Sequence, residues 1–199
     1  MRQFQSAPPP AAAVTRRASL TLATAVAMMA LVRAGDSAAA TAQQLAQDSR
    51  LALDRLFALR PQSRQWAKAA RAIIVFPEII KAGFVFGGQG GDGAMLEKGK
   101  VVGFYRTAAG SFGLQAGAEK FSYALFLMNQ KAVDYVKSTD GWSIGAGPSV
   151  VLIDEGAAKA LTTTTMRSDV YAVIFGQQGL MAGLNLEGSK ISRIHPKAS

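Results

Sequence analysis

From Arg71 onward the chain alternates short apolar runs with glycine clusters. Val75-Phe76-Pro77 closes one run, Gly83 to Gly88 holds the next, and Val101-Val102-Gly103-Phe104-Tyr105 the one after. Apolar and aromatic runs bounded by Gly and Pro predict strands joined by tight turns. The pattern predicts strands over 71–76, 82–88, 94–98 and 101–106, and a long segment over 112–128 that breaks near Glu119-Lys120. Gly91-Asp92-Gly93 and Glu97-Lys98-Gly99-Lys100 have the composition of hairpin tips. Glycine this frequent inside strands implies bulges, strong curvature or close backbone approach, hence a curled or closed sheet.

Before this region the period changes to that of a helix. Leu45, Ala52, Leu53, Leu56 and Phe57 recur at helical spacing within 43–70, and Pro61 is expected to break or restart the helix. Arg60, Arg64, Lys68 and Arg71 come at steps of four, four and three. They share one face if a helix continues through them. That face is either a cationic strip for anionic headgroups or an ordinary solvated surface, with Trp66 on another face. After the strand region, Asn129 to Lys137 predicts a short helix with Asn129 as N-cap. Residues 141–153 read as a glycine-rich strand or strand pair, and 154–165 as a polar loop or strand edge. Residues 168–176 and 179–186 read as a final hairpin turning at Gly176-Gln177-Gln178-Gly179. A last short strand is expected over 191–194. The fold class is therefore α+β: a helical N-terminal segment packed on a mostly antiparallel, curled sheet, barrel- or sandwich-like, with one short inserted helix.

The first forty residues stand apart. Arg16-Arg17 precede the apolar run Leu20 to Val32, and Ser37-Ala38-Ala39-Ala40 comes after it. A charged start, a short apolar run and small residues form the pattern of an export signal, here similar to a twin-arginine one. The run is too short to span a bilayer comfortably, since about 20 residues are needed. Cleavage is expected at or near Ala40, leaving one domain over 41–199 in the periplasm or against the envelope membrane. The chain of 199 residues carries a net charge of +9. Residues 1–40 hold Arg2, Arg16, Arg17 and Arg33 against Asp36, so 41–199 keep 18 of the 22 basic and 12 of the 13 acidic residues, a net of +6. A domain of that sign favours anionic partners.

Candidate chemistry is sparse. The chain has no cysteine and one histidine, His195, which leaves no set for a multi-histidine or thiolate metal site. Gly88 to Gly93 fits G-x-G-x-x-G, but Ala94 to Gly99 behind it read as strand and turn, whereas a dinucleotide site needs a helix there. Gly110-Ser111-Phe112-Gly113 lacks the first glycine of G-x-S-x-G. Glu78, Asp92, Glu119 and Asp169 could form a carboxylate site only if the fold brought them together. The aromatics Phe84, Phe86, Phe104 and Tyr105 alternate as core residues do, and export removes most nucleic-acid partners. No enzyme activity, cofactor, metal or nucleic acid is expected.

Five motifs in order give the chain a resemblance: Ile74-Val75-Phe76-Pro77, Lys81-Ala82-Gly83-Phe84, Gly87-Gly88-Gln89-Gly90-Gly91, Gly113-Leu114-Gln115-Ala116-Gly117, and Gly179 to Gly188. They run from Ile74 to Gly188 and resemble the SYLF-domain family, a resemblance that covers roughly residues 45 to 195. That family includes eukaryotic membrane-traffic proteins and stand-alone exported bacterial proteins. The resemblance implies a lipid-binding or membrane-associating protein whose N-terminal part engages anionic headgroups. Arg60, Arg64, Lys68 and Arg71 would supply the charge, with Lys81 and Lys120 as further candidates. The implied partner is anionic phospholipid or a membrane surface. The alternative is a structural or protein-interaction module with an envelope protein partner and no lipid site. Actin binding, known of eukaryotic relatives, does not carry over to an exported bacterial chain.

Overall fold

The computed structural model describes residues 40–83, 86–112, 117–153, 167–179, 186 and 188–198. Residues 40–199 form one compact unit. The export-signal reading, the 154–165 segment, most of the 179–186 strand and the Gly113–Gly117 motif lie outside the described residues, apart from Gly117.

Two helices come first, α1 (Ala42–Leu59) and α2 (Ser63–Ala69). Thr41 opens α1 with a capping box: its Oγ1 accepts from Gln44 N at 3.2 Å, and Gln44 Oε1 accepts from Thr41 N at 3.1 Å. Pro61 separates the helices as expected, since it cannot continue the hydrogen-bond ladder. Four long strands come next: β1 (Ala72–Gly83), β2 (Phe86–Glu97), β3 (Lys100–Phe112) and β4 (Gly117–Leu127). After them are α3 (Gln130–Ser138), two short strands β5 (Trp142–Ser143) and β6 (Val150–Ile153), then β7 (Val170–Gly179) and β8 (Lys190–Ile194). Asn129 caps α3 as predicted, its side chain accepting from Ala132 N at 2.8 Å.

All eight strands join in one sheet, in the order β5-β8-β3-β2-β1-β4-β7-β6. Every pairing is antiparallel except β6 with β7. This order requires curl. Eight flat strands would place the outer two about 34 Å apart at ~4.8 Å per interval. Yet β5 ends at Ser143 and β6 starts at Val150, and seven residue steps reach at most about 25 Å. Residues 144–149 are thus a strap that draws the two edges toward each other. The fold class is the α+β one predicted, with a mostly antiparallel, curled sheet.

Several strand boundaries differ from the sequence reading. Pro77 does not end β1. The strand continues through a register shift between Phe76 and Ile79, and the Pro77 carbonyl accepts from Ser122 Oγ at 2.6 Å. Bulges are where a sheet tolerates proline, because the missing N–H has no ladder partner to lose. Gly91-Asp92-Gly93 is not a hairpin tip. It lies inside β2, paired with Tyr105 to Thr107 of β3. The true tip is Lys98-Gly99, both at positive φ. Likewise Gly176 to Gly179 continues β7 instead of turning it. The predicted strand pair over 141–153 forms as β5 and β6, but on opposite edges of the sheet.

Both faces of the central strands are buried, so β1, β4 and β7 read as unbroken apolar runs. One core holds Ile74, Phe76, Met95, Tyr123, Leu125, Val133, Trp142 and Ile144. Ile144 belongs to the strap, which places this core on the concave side. The other core holds Leu53, Leu56, Trp66, Ile73, Val75, Leu96 and Phe126, and sits between the convex side and the two N-terminal helices.

Close strand approach explains two glycines. A Cβ on Gly93 would collide with the Val75 carbonyl and the Phe76 ring, and one on Gly91 with the Glu78 carbonyl. Gly93→Ala is expected to cost about 1–3 kcal/mol by overpacking. It would appear as a fall in Tm of ~2–4 °C per kcal/mol. Gly110→Ala is the control: its Cβ would meet nothing within 4 Å, so Tm should hold or rise slightly.

Asp169 ties three elements at the start of β7. Its carboxylate accepts from Asn129 Nδ2 at 2.7 Å and from Ser149 N and Oγ, each at 2.9 Å. These bonds, led by that from the Ser149 backbone, hold its carboxyl below the ordinary value. A lowered folded value stabilises the fold above the unfolded carboxyl value of about 3.9, and that contribution is lost as pH falls through the folded one. Asp169→Ala should cost about 0.5–1.5 kcal/mol at neutral pH, because the bonds are largely open to solvent and screened. In urea unfolding the gap to the wild type should narrow below about pH 4. A gap independent of pH would refute the assignment.

Candidate functional site

The six basic residues singled out from sequence do not share one face. Arg60 is the C-cap of α1, with non-helical backbone (φ −135°, ψ 82°). Its Nη1 is buried without a hydrogen-bond partner. α2 ends at Ala69, and Ala70 turns extended with ψ 144°. Arg71 then begins sheet pairing through its N–H to Leu127 O at 2.8 Å. Only Arg64 and Lys68 remain four apart on one helix. The expected strip fails because Pro61 and the start of β1 confine α2 to seven residues.

Lys81 and Lys120 lie toward the other end of β1. Lys81 is buried on the concave side, opposite Glu119 in register. Lys120 points to the convex side and pairs with both carboxylate oxygens of Glu78 at 3.1 Å. The four dispersed acids do not converge either. Glu78 is taken by Lys120, Asp92 by Arg106 in a two-pronged pair at 2.6 and 2.8 Å, Glu119 is buried, and Asp169 serves the junction above. Gly88 to Gly93 sits within β2, which runs on into the turn to β3 with no helix after it. His195 is exposed in the C-terminal segment.

The tertiary structure assembles a different constellation. A cavity of about 350 Å³ opens between α1, α2, the start of β1 and the β2–β3 turn. Leu53, Phe57, Ala67, Ile73 and Leu96 supply its apolar wall, and Lys68, Arg71 and Lys98 its cations. All three cations are exposed, and among the described residues none of them makes an ion pair. Arg64 reinforces the same corner by placing its guanidinium over the Phe57 ring at 4.9 Å from the centroid. Trp66 fixes α2 from below. It is 1% exposed and meets Phe126 edge-on, with centroids 6.1 Å apart.

Lys98 is the residue that sequence reasoning missed. It lies 27 positions beyond Arg71 in a turn read only as a hairpin tip. Its place beside Lys68 comes from β1 and β2 pairing antiparallel, which returns the β2–β3 turn to the level where β1 begins. The available signal was two lysines flanking one glycine, Lys98-Gly99-Lys100.

A curled mixed sheet, a helix pair on its convex side and an apolar cavity with a basic rim define an α+β binding domain. Residues 108–196 match the family described as "Ysc84: Las17-binding protein actin regulator". Over that stretch the chain is similar to the Ysc84 (SYLF) family, the one that the motif series resembles. The matched region begins within β3, so Lys68, Arg71 and Lys98 precede it and Lys120 falls inside it. Comparison with the curated proteins gave no match.

Proposed function

We propose that this is a non-enzymatic protein of the bacterial envelope that binds anionic phospholipid headgroups at the basic cavity. The observation that carries the reading is the meeting of Lys68, Arg71 and Lys98 around apolar walls. Exposed cations without acidic partners keep their full attraction for an anionic surface. The apolar wall gives the lipid's glycerol and upper acyl region somewhere to rest. Arg64 adds charge beside it, and Arg60 lends positive potential from the end of α1. Lys81 and Lys120 are left out, because one is buried and the other neutralised. A family described by what it binds and regulates supports a binding role. The signal-like pattern of residues 1–40 supports export. Among the described residues no helix is long and apolar enough to cross a membrane, so association through this surface would be peripheral.

Co-sedimentation of residues 40–199 with vesicles tests the reading. Binding is expected to vesicles rich in phosphatidylglycerol and not to pure phosphatidylcholine, and to weaken as salt shortens the screening length. Equal sedimentation with both vesicle types would defeat it.

A second reading, a protein-interaction module of the periplasm, is favoured by one feature. Ile80 is 48% exposed on the convex face among small neighbours such as Ala82 and Gly90. Indifference to every vesicle, together with a crosslink from that face to an envelope protein, would favour it.

A further inference from the structure

The β2–β3 turn stands between two groups of cations. On its convex side are Lys68, Arg71 and Lys98 at the cavity rim, with Arg64 beside them. A second group lies on the concave side. Leu96 belongs to the convex core, so the next residue, Glu97, points the other way. Lys100 is paired with Glu97 across the turn and shares its face. Lys137 of α3 forms an ion pair with Glu97. Arg193 of β8 is paired with Tyr105, a residue of the concave core. Burial raises the Tyr105 hydroxyl above its ordinary value, Arg193 and Lys137 lower it and Glu97 raises it, so these three charges gather around one point. Lys100 and Arg193 are exposed, and neither makes an ion pair among the described residues.

Two acids stand against these seven cations. One is Glu97. The other is Asp140, two residues before β5, which falls level with Arg193 when the β5–β8 register is extended. Seven cations and two acids give the turn end a net charge of +5, and the other 11 basic and 10 acidic residues of 41–199 nearly cancel. At the far end of the same strands, residues 86–91 and 107–112 include no charged residue. Toward that end the convex surface holds charges already paired, Lys120 with Glu78 and Arg106 with Asp92. β2 has 12 residues and so spans about 40 Å. The field of a charged surface fades within about 8 Å at physiological ionic strength. An anionic surface thus attracts one end of the sheet at a time, and the turn end holds nearly all of the net charge. Lying on its convex side alone, the domain would leave Lys100, Lys137 and Arg193 facing away.

We propose that the domain docks end-on to an anionic lipid surface, with the β2–β3 turn and the cations on both its sides in the headgroup layer. This orientation rests on the headgroup reading above and adds Lys100 and Arg193, which do not line the cavity, to the contact.

Two measurements on residues 40–199, which form one compact unit, test it with vesicles of equal parts phosphatidylglycerol and phosphatidylcholine. Lys100→Gln/Arg193→Gln changes two exposed side chains, so the fold and the cavity rim should persist, and affinity should fall at least about tenfold. Asp140→Asn removes an acid from the same end and should raise affinity about fivefold. The chain has no cysteine, so a single introduced one can carry a fluorophore at a chosen level. On Val102→Cys, exposed and two residues past Lys100, a quencher attached to lipid headgroups should dim the fluorophore. On Gly110→Cys, near the other end of β3 and with open space at its Cβ, it should not. A double variant that binds like the wild type, or quenching at Gly110→Cys and not at Val102→Cys, overturns the end-on orientation. If affinity then still depends on Lys68, Arg71 and Lys98, the headgroup cavity survives that result. A wild type that binds neither these vesicles nor pure phosphatidylglycerol overturns both.

Discussion

Changing Lys68, Arg71 and Lys98 together to glutamate is expected to lower the affinity for anionic vesicles at least about a hundredfold. Each cation near an anionic surface is worth about 1 kcal/mol, and reversing its sign adds repulsion to the loss. Three of them therefore exceed the ~2.7 kcal/mol that a hundredfold change requires. The single change Lys98→Glu is the sharper arm. If the membrane surface were a helix strip, Lys98 would be irrelevant, because it belongs to the β2–β3 turn. If the surface is the cavity, its reversal should cost about fivefold or more, on the same scale as Lys68→Glu. Lys120→Glu should change little, since Lys120 is already paired with Glu78. The wild type's advantage should shrink as ionic strength rises, the screening length falling from about 10 Å at 0.1 M to ~3 Å at 1 M. Vesicle flotation at two salt concentrations reads all of this. A triple variant that still floats as well as the wild type sinks the cavity as the membrane site.

The second large effect is on stability. Trp66→Ala should destabilise the domain by about 3–5 kcal/mol, as expected for removing a large buried aromatic. That is a large share of the ~5–15 kcal/mol total of a typical domain. Trp66 is fully enclosed in the convex core and is the main anchor of α2. α2 has seven residues, and isolated helices shorter than about 12 residues are marginal in water. Without its anchor α2 should fray, carrying Lys68 and Arg64 away from Arg71 and Lys98. Urea unfolding, monitored by the fluorescence of Trp142, should show the lower midpoint. Amide exchange should show faster opening over 63–70. Vesicle affinity should fall as well, though less than in the triple variant, because Arg71 and Lys98 sit on the sheet and its turn. An unchanged midpoint would mean that α2 is held by something other than Trp66.

The Trp66 and Lys98 variants also separate two kinds of information in the chain. The period-3.6 pattern around Leu45, Leu53 and Leu56, the break at Pro61 and the N-cap at Asn129 were legible because each is decided within a few residues. The continuous apolar runs of β1, β4 and β7 were equally legible as strands. Their lengths were not. Gly91 and Gly93 look like turn residues, and only the approach of the β1 backbone at Val75 and Glu78 shows that they are mid-strand positions with no room for a side chain. Pro77 looked like a stop, and a bulge absorbed it.

The candidate site divides in the same way. Lys68 and Arg71 were visible as basic positions near an amphipathic helix, while Arg60 was misplaced with them because the spacing assumed a helix that ends too early. Lys81 and Lys120 are adjacent in neither sequence nor role: side-chain alternation along their strands sends one into the concave core and the other to the convex surface.

By itself, then, the sequence determined the α+β class, the helical start, the glycine-rich curled sheet and the likeness to a known family, since these depend on local propensity, period and motif order. Tertiary structure alone decided that β5 and β6 lie on opposite edges joined by a short strap, that Lys98 meets Lys68 and Arg71, and that Lys137 and Arg193 gather on the concave side of the same turn. Each of those is a contact between segments distant in the chain. Contacts of that kind are set by which strands pair and how far the sheet curls, and no local pattern of residues encodes either.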